Sequence, residues 1–226
     1  MDMASIASGR QLASKWLKTN ALRSNPYIAR HIPPSRLYSA ANLRSMLLSH
    51  GTVVIKPVRG GGGMGVMKIS ASGGGYRSTY MARTHSFGSF SGLVSHIDRK
   101  RRGRRYLIQK GIRLATIAGR PIDYRVKFVK ENGVWTIRSM VGRVARRGLF
   151  VTNLCRGGMQ LTAAQGIRRS LSSGAVRRKK GEMRNLTRVA TQLMETRFPG
   201  IGQLGYDYGI DRNGRIWILE VNTRPQ

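Results

Sequence analysis

The chain has 226 residues, enough for one large domain or two lobes that share a core, and 40% of the residues are hydrophobic. Lys and Arg number 41 against 9 Asp and Glu, so the formal net charge is +32 and polyanions are the expected partners. A single cysteine, Cys155, excludes an intrachain disulfide, and no apolar run reaches the ~20 residues of a membrane span.

The N-terminal half is predicted to combine helices with one β-hairpin. In chain order, we expect a helix over 10–23 with Leu12, Trp16 and Leu17 on one face, a proline-containing loop over 25–35, a helix over 40–50 that Ser39 caps and Gly51 ends, strands at 52–58 and 66–70 joined by a glycine-rich tip, a mobile loop over 71–92, and a helix around 91–100.

The C-terminal half is predicted to be mostly β, and the whole chain is therefore assigned to the α+β class. We expect strands at 106–112, 123–130 and 135–145, with a turn at 131–133, an irregular stretch at 152–158, a basic linker at 168–180, a polar helix around 181–197, and a terminal hairpin with strands at 204–210 and 215–222.

The terminal hairpin carries acids at positions suited to a metal. Alternation along strands places Asp207, Glu220 and Asn222 on one face. Two carboxylates and an amide oxygen can hold magnesium against nucleotide phosphates, although a solvated surface pair is the alternative. The same alternation assigns Gly205, Gly209, Ile216 and Ile218 to this face, and Tyr206, Tyr208, Trp217, Leu219 and Val221 to the other.

The glycine-rich tip between the N-terminal strands suits phosphate binding. Consecutive glycines let backbone N–H groups approach phosphate oxygens, and Lys56 just before the tip supplies a positive charge. The P-loop pattern and the dinucleotide fingerprint are both absent. A flap over phosphates and a merely flexible turn remain the two alternatives.

Six motifs in order resemble those of ATP-grasp enzymes. They are Lys15 in a Ser-Lys-Trp helix, Lys56 before the glycine flap, the YLIQKGI strand at 106–112, Asp123-Tyr-Arg125, the TNLCRGG stretch at 152–158, and Asp207 with the terminal Glu-Val-Asn at 220–222. The stretch at 152–158 and the terminal Glu-Val-Asn resemble the glutamate-adding ribosomal-modification ligases. The closest likeness, over about residues 10–225, is to the YheC/YheD group of endospore-coat-associated proteins.

The resemblance implies an ATP-grasp fold in which two α+β lobes grip ATP, with lobes at 1–105 and 106–226. Lys15 and Lys56 would contact phosphates under a cover formed by Gly60, Gly61, Gly62, Gly63 and Gly65. Gln109, Lys110 and Ile112 would frame adenine, with Asp123 near the ribose. Arg125, Asn153 and Arg156 would line the transfer side, and Asp207, Glu220 and Asn222 would hold one or two Mg²⁺ ions, for which Mn²⁺ could substitute.

The implied activity is ATP-dependent carboxylate–amine ligation through an acyl phosphate, in the cytoplasm and in association with spores. The acceptor and the amine are not identified, but the charge favours an acidic peptide and also non-specific nucleic-acid binding. A spore-coat scaffold that binds ATP without turnover and a basic nucleic-acid-binding protein are the alternatives. Three departures from the family are expected. Lys110 stands where glutamate often occurs, no separate domain is expected before the grasp, and no helix is expected after the Glu-Val-Asn at 220–222.

Overall fold

The computed structural model describes residues 9–225 apart from the side chain of Ser72, so expectations that rest on residues 1–8 or on Gln226 lie outside it. The helices are α1 (Lys15–Arg23), α2 (Pro26–Ala29), α3 (Ala40–His50), α4 (Phe90–Arg101), α5 (Ala163–Ser170) and α6 (Ala175–Arg197). The strands are β1 (Ser35–Leu37), β2 (Thr52–Pro57), β3 (Met67–Ser72), β4 (Gly75–Tyr80), β5 (Arg83–Phe87), β6 (Tyr106–Lys110), β7 (Thr116–Ile117), β8 (Arg120–Glu131), β9 (Val134–Val144), β10 (Met159–Thr162), β11 (Gln203–Ile210) and β12 (Ile216–Asn222).

The first sheet is antiparallel, with strand order β1-β6-β2-β3-β4-β5. Helices α3 and α4 bury their apolar sides against it, and the shared core includes Leu43, Leu93, Ile55 and Ile69. The predicted helix over 40–50 is confirmed, because the Ser39 hydroxyl accepts a hydrogen bond from the Asn42 N–H at 3.1 Å and Gly51 ends the helix with a positive φ.

The loop predicted over 71–92 is wrong, because most of this segment belongs to the end of β3, to β4 and β5, and to the start of α4. The turn before β4 contains Gly73 and Gly74, both at positive φ, which suits a tight hairpin. Residues of β5, at the edge of the sheet, are largely exposed. The strands of this segment face solvent and contain many small polar residues. Because such residues are also common in loops, the composition of the segment suggested a loop.

The second sheet has the strand order β10-β9-β8-β11-β12, with β7 paired to β8, and every pairing is antiparallel. Helix α6 packs on it, and the tyrosines of β11 anchor that helix. The hydroxyl groups of Tyr206 and Thr191 lie 2.9 Å apart, and those of Tyr208 and Thr187 lie 2.8 Å apart. Buried phenols thus keep hydrogen-bond partners, as burial requires.

Helices α1 and α2 belong to the core of the second sheet, although they precede the first in the chain. Ala21, Leu22 and Ile28 lie in that core, and α1 contacts α6 and β12. The predicted helix over 10–23 begins only at Lys15. Its predicted apolar face is also wrong, since the buried side carries Lys15 and Lys18 while Leu17 is 45% exposed.

A further prediction about the C-terminal half needs correction. The basic linker predicted at 168–180 is largely helical, because α5 reaches Ser170 and α6 starts at Ala175. Thr162 caps α5 through a capping box with Gln165, a signal that was present in the sequence. None of the helices within residues 9–225 is both long and apolar enough to cross a membrane.

The terminal hairpin contains a β-bulge at Leu219. Asp207 pairs with Glu220, but Tyr208 pairs with Ile218, so Leu219 is the extra residue. The prediction that Asp207 faces Glu220 is confirmed. The bulge reverses the alternation beyond it, so the assignment of Ile216 and Ile218 to the acidic face is wrong, and both lie in the core.

The division into lobes at 105/106 stays a prediction. In the structure, β6 begins just after this position and belongs to the first sheet, where it pairs with β1 and β2. The chain therefore enters the second sheet only after β6.

Candidate functional site

A cleft of about 1350 Å³ lies between the two sheets. Every predicted site residue lines it except Gly65 and Arg156. The predicted residues that do so are Lys15, Lys56, Gly60, Gly61, Gly62, Gly63, Gln109, Lys110, Ile112, Asp123, Arg125, Asn153, Asp207, Glu220 and Asn222. Residues from all parts of the chain thus converge on one site, while their individual roles stay predictions.

The two remaining residues lie at the glycine flap, residues 59–66. At Gly65, φ is +72°, and a Cβ atom would lie 2.5 Å from the Tyr106 hydroxyl, so only glycine fits. The Nε–H of Arg156 donates to the Gly62 carbonyl at 3.1 Å. The loop at 152–158 is therefore in direct contact with the flap.

The flap is held down over the cleft from both sides. A Cβ atom at Gly63 would lie 2.7 Å from Oδ1 of Asn153, which shows how closely the flap and the loop approach. From the floor, the Lys15 ammonium donates to the Gly60 carbonyl. The flap is thus closed on the groups that line the cleft.

Two lysines lie beneath the flap beside Glu220. Lys15 Nζ lies 3.0 Å from Oε1 of Glu220, and Lys56 Nζ donates to the Leu219 carbonyl at 3.0 Å. Leu219 is the extra residue of the bulge, and its carbonyl is the group that meets Lys56. Burial lowers the pKa of Lys56, and Lys15 adds to this lowering while Glu220 opposes it.

A third lysine, Lys18, lies one turn along the same side of α1 and is only 4% exposed. Its ammonium donates to the Leu12 carbonyl at 2.8 Å. Burial lowers the pKa of Lys18 from 10.5 to about 8, and Glu220 raises it less than burial lowers it. Within residues 9–225, Lys18 makes no salt bridge, so a buried positive charge without a carboxylate of its own lies one helical turn from Lys15.

The two aspartates of the cleft are clamped by two arginines. Asp207 receives Nε–H and Nη2–H of Arg125, the latter at 3.0 Å from Oδ2, and Arg143 Nη2 lies 2.9 Å from its Oδ1. Arg143 also grips Asp123, with Nε–Oδ1 at 2.8 Å and Nη2–Oδ2 at 2.6 Å. The pairing of β8 with β9 and β11 aligns all four residues.

This network shifts the pKa values of the two aspartates in opposite directions. Burial opposes ionisation of Asp207, but Arg143 and Arg125 outweigh it and hold its pKa below the ordinary value. Burial raises the pKa of Asp123, and Arg143 only partly offsets that effect because it is shared with Asp207. The arginines therefore favour the ionised form of Asp207 more than that of Asp123.

The predicted metal ligands are oxygen donors of the kind that magnesium prefers, and Glu220 and Asn222 have oxygens available, whereas Arg125 and Arg143 occupy both carboxylate oxygens of Asp207. Asp207 and Glu220 are cross-strand partners, and Asn222 lies two residues along the same strand. Within residues 9–225, neither Oε2 of Glu220 nor the side-chain amide of Asn222 takes part in a hydrogen bond. Oxygen donors of this kind suit Mg²⁺ with nucleotide phosphates. No cluster of three His, Cys, Asp or Glu occurs among the described residues, so phosphate and water oxygens would complete the shell.

The end of the cleft near β6 is more apolar. Val54, Ile112, Leu114 and Leu219 line it. The Gln109 side chain donates to the Ser35 hydroxyl at 3.3 Å, and Lys110 Nζ lies 5.9 Å from the centre of the Trp217 ring. An apolar slot with polar edges is the usual form of a pocket for a planar base.

Sequence reasoning missed three functional features. Arg143 was not among the predicted site residues, yet it is buried and clamps the aspartates. Lys18 was not singled out, although it follows Lys15 at a spacing of three residues. The Leu219 carbonyl could not be predicted, because a bulge leaves little trace in sequence.

The comparison with protein families decides the assignment. A sequence model of the YheC/D-like ATP-grasp family matches residues 6–226. The chain belongs to this family. Two relatives from Bacillus subtilis (strain 168) are similar to it: endospore coat-associated protein YheD, 28% identical over 229 residues, and endospore coat-associated protein YheC, 27% identical over 228 residues. The alignments cover 94% and 96% of this chain but only 48% and 61% of YheD and YheC.

Solved structures share the fold. The D-cycloserine synthetase DcsG matches with a TM-score of 0.59 at 13% identity, over 95% of this chain and 63% of that one. An N5-carboxyaminoimidazole synthase from Aspergillus clavatus, in complex with ADP and a ribonucleotide, matches with a TM-score of 0.58 at 14% identity, over 97% of this chain and 46% of that one. The predicted ATP-grasp fold of class α+β is thus confirmed, as is the resemblance to YheC/YheD.

Proposed function

We propose that the protein is an ATP-dependent carboxylate–amine ligase that uses Mg²⁺. The supporting observation is the convergence of Lys15 and Lys56 with Asp207 and Glu220 under a closed glycine flap. Lysines beside paired carboxylates suit a metal-bound triphosphate, and the flap excludes water from it. Membership of an ATP-grasp family and the fold of the synthetases support the same activity.

The reaction forms an acyl phosphate and then an amide. A carboxylate oxygen of the acceptor attacks the γ-phosphorus of ATP, and ADP leaves. An amine nitrogen then attacks the acyl carbon, inorganic phosphate leaves, and the nitrogen loses a proton. Lys15 and Lys56 would neutralise phosphate charge, while Arg125 and Arg156 would orient the transferred group. When bound at Asp207, Glu220 and Asn222, Mg²⁺ supplies Lewis-acid stabilisation of the phosphate charge.

We further propose an acidic peptide as the acceptor and association with the spore, in the cytoplasm. The net charge of +32 supports an acidic acceptor, and the names of the two Bacillus relatives support the spore. The two alternatives, an ATP-binding scaffold without turnover and a nucleic-acid-binding protein, gain no support from the comparisons.

The test is mass spectrometry of a reaction that contains the protein, ATP, Mg²⁺ and a cell extract. ATP-dependent products with a new amide bond are expected, and Glu220→Gln should abolish them. Glu182→Gln is the matched control, because Glu182 lies on α6 outside the cleft with its side chain 39% exposed. ATP binding without any ATP-dependent amide product would favour the scaffold.

A further inference from the structure

A second concavity, of about 440 Å³, opens beside the cleft. Its walls come from both sheets, since Lys68 lies on β3 whereas Arg120 lies at the start of β8 and Arg146 and Arg147 follow β9. We call these four cationic residues and the space between them the basic groove. Lys68, Gly119, Pro121 and Phe150 line both the groove and the cleft, so the two are continuous.

The cations of the basic groove are free to meet an anion. Within residues 9–225, no Asp or Glu lines the groove, and no salt bridge involves any of its four cations. Arg120 donates through Nε to the Ala145 carbonyl at 2.6 Å, and Lys68 Nζ lies 6.0 Å from the centre of the Phe150 ring. These contacts hold the side chains in place without neutralising them.

The basic groove also leads towards the reacting end of the cleft. Phe150 precedes Asn153 by three residues, a span of at most about 10 Å of extended chain. Asn153 in turn meets the glycine flap. A peptide that enters through the groove can therefore reach the predicted phosphate site under the glycine flap with a segment of a few residues.

We propose that the basic groove is the docking site for the acidic acceptor, binding carboxylates next to the one that is activated. This inference rests on the proposed ligase function. The reactive carboxylate and the docking carboxylates then belong to one peptide. Arginine guanidinium groups bind carboxylates with two parallel hydrogen bonds, and the groove presents Arg146 and Arg147 on its exposed side. A volume of about 440 Å³ admits a few residues of an extended peptide but no nucleic-acid duplex.

The test compares two double variants with equal loss of charge. Arg146→Gln with Arg147→Gln removes two cations from the groove. Arg177→Gln with Arg178→Gln removes two exposed cations from α6, away from both concavities. Fluorescence anisotropy measures binding of a labelled glutamate-rich peptide, its glutamine counterpart and a single-stranded oligonucleotide of equal charge.

We expect the groove variant to weaken binding of the glutamate-rich peptide at least about 10-fold, and the α6 variant to weaken it less than about 3-fold. Lys68→Gln, on the opposite wall, should weaken it as well. Equal losses in both double variants would show general steering by charge and overturn the proposal. Tighter binding of the oligonucleotide, with the same dependence on Arg146 and Arg147, would also overturn it.

Calorimetry of ATP with the unaltered protein keeps the two proposals separate. Failure to bind ATP would refute the proposed ligase function even if the peptide depends on the groove. Normal ATP binding with no effect of the groove variants would refute only the docking site.

Discussion

Replacing Lys18 with methionine tests the energetic cost of the buried positive charge under the cleft. The pKa of Lys18 falls from 10.5 to about 8 on folding, which corresponds to about 3 kcal/mol at ~1.4 kcal/mol per pH unit. Below pH 8, the folded and the unfolded chain both carry the proton, and folding bears the full cost. Between pH 8 and 10.5, the unfolded chain binds more protons, so the stability of the unaltered protein rises with pH.

The free energy of unfolding of Lys18→Met, measured relative to that of the unaltered protein, should therefore fall by about 3 kcal/mol between pH 7 and pH 10.5. Loss of the hydrogen bond to the Leu12 carbonyl lowers the stability of the variant by an amount that depends much less on pH. Urea unfolding at several pH values measures the difference, and Lys100→Met, an exposed lysine on α4, is the control. A stability difference that stays constant over this range would refute the reasoning.

The other predictions concern the nucleotide. Binding of ATP at about pH 8.5 should be accompanied by proton uptake, because phosphate charge raises the pKa of the buried Lys18 and Lys56. Calorimetry in buffers of different ionisation enthalpy measures this uptake. A binding heat that does not depend on the buffer would contradict the prediction. Lys56→Ala should weaken the binding of ATP more than the binding of adenosine. Equal weakening of both would mean that the role of the lysine is structural. Gly63→Ala should weaken ATP about 10-fold, because its Cβ would lie 2.7 Å from Asn153 Oδ1 at a φ of +71°. Gly61→Ala, with nothing within 4 Å, is its control, and equal effects of the two would exclude the close contact as the cause.

Local patterns predicted the parts of the fold that depend on neighbouring residues. Ser39 and Gly51 marked both ends of α3 because capping acts within one turn. The facing of Asp207 and Glu220 followed from strand alternation and the short turn between them. The gathering of site residues in one cleft came from the order of the motifs rather than from any one pattern.

The errors arose where tertiary contacts override local preference. In α1, Leu17 is exposed and Lys15 and Lys18 are buried, because the cleft uses the lysines. A hydrophobicity pattern predicts the opposite arrangement. The bulge at Leu219 reversed the faces of Ile216 and Ile218 for a similar reason, since the Leu219 carbonyl meets Lys56. Polar contacts at the site thus explain the departures in α1 and β12.

The same contacts explain how so basic a chain keeps an ordered cleft. Within residues 9–225, three of the nine acids line the cleft, Asp123, Asp207 and Glu220, together with nine cations, which are Lys15, Lys56, Lys68, Lys110, Arg113, Arg125, Arg143, Arg212 and Arg224. Arg125 and Arg143 contact the aspartates directly, and Lys15 contacts Glu220. Shared hydrogen bonds hold the arginines and acids in one network, which limits the repulsion among the cations. The cations of this lining outnumber its acids by six, since 9 − 3 = 6. An anion that enters the cleft therefore meets a field that is already organised, in which Lys15 would neutralise phosphate charge while Glu220 would hold the metal.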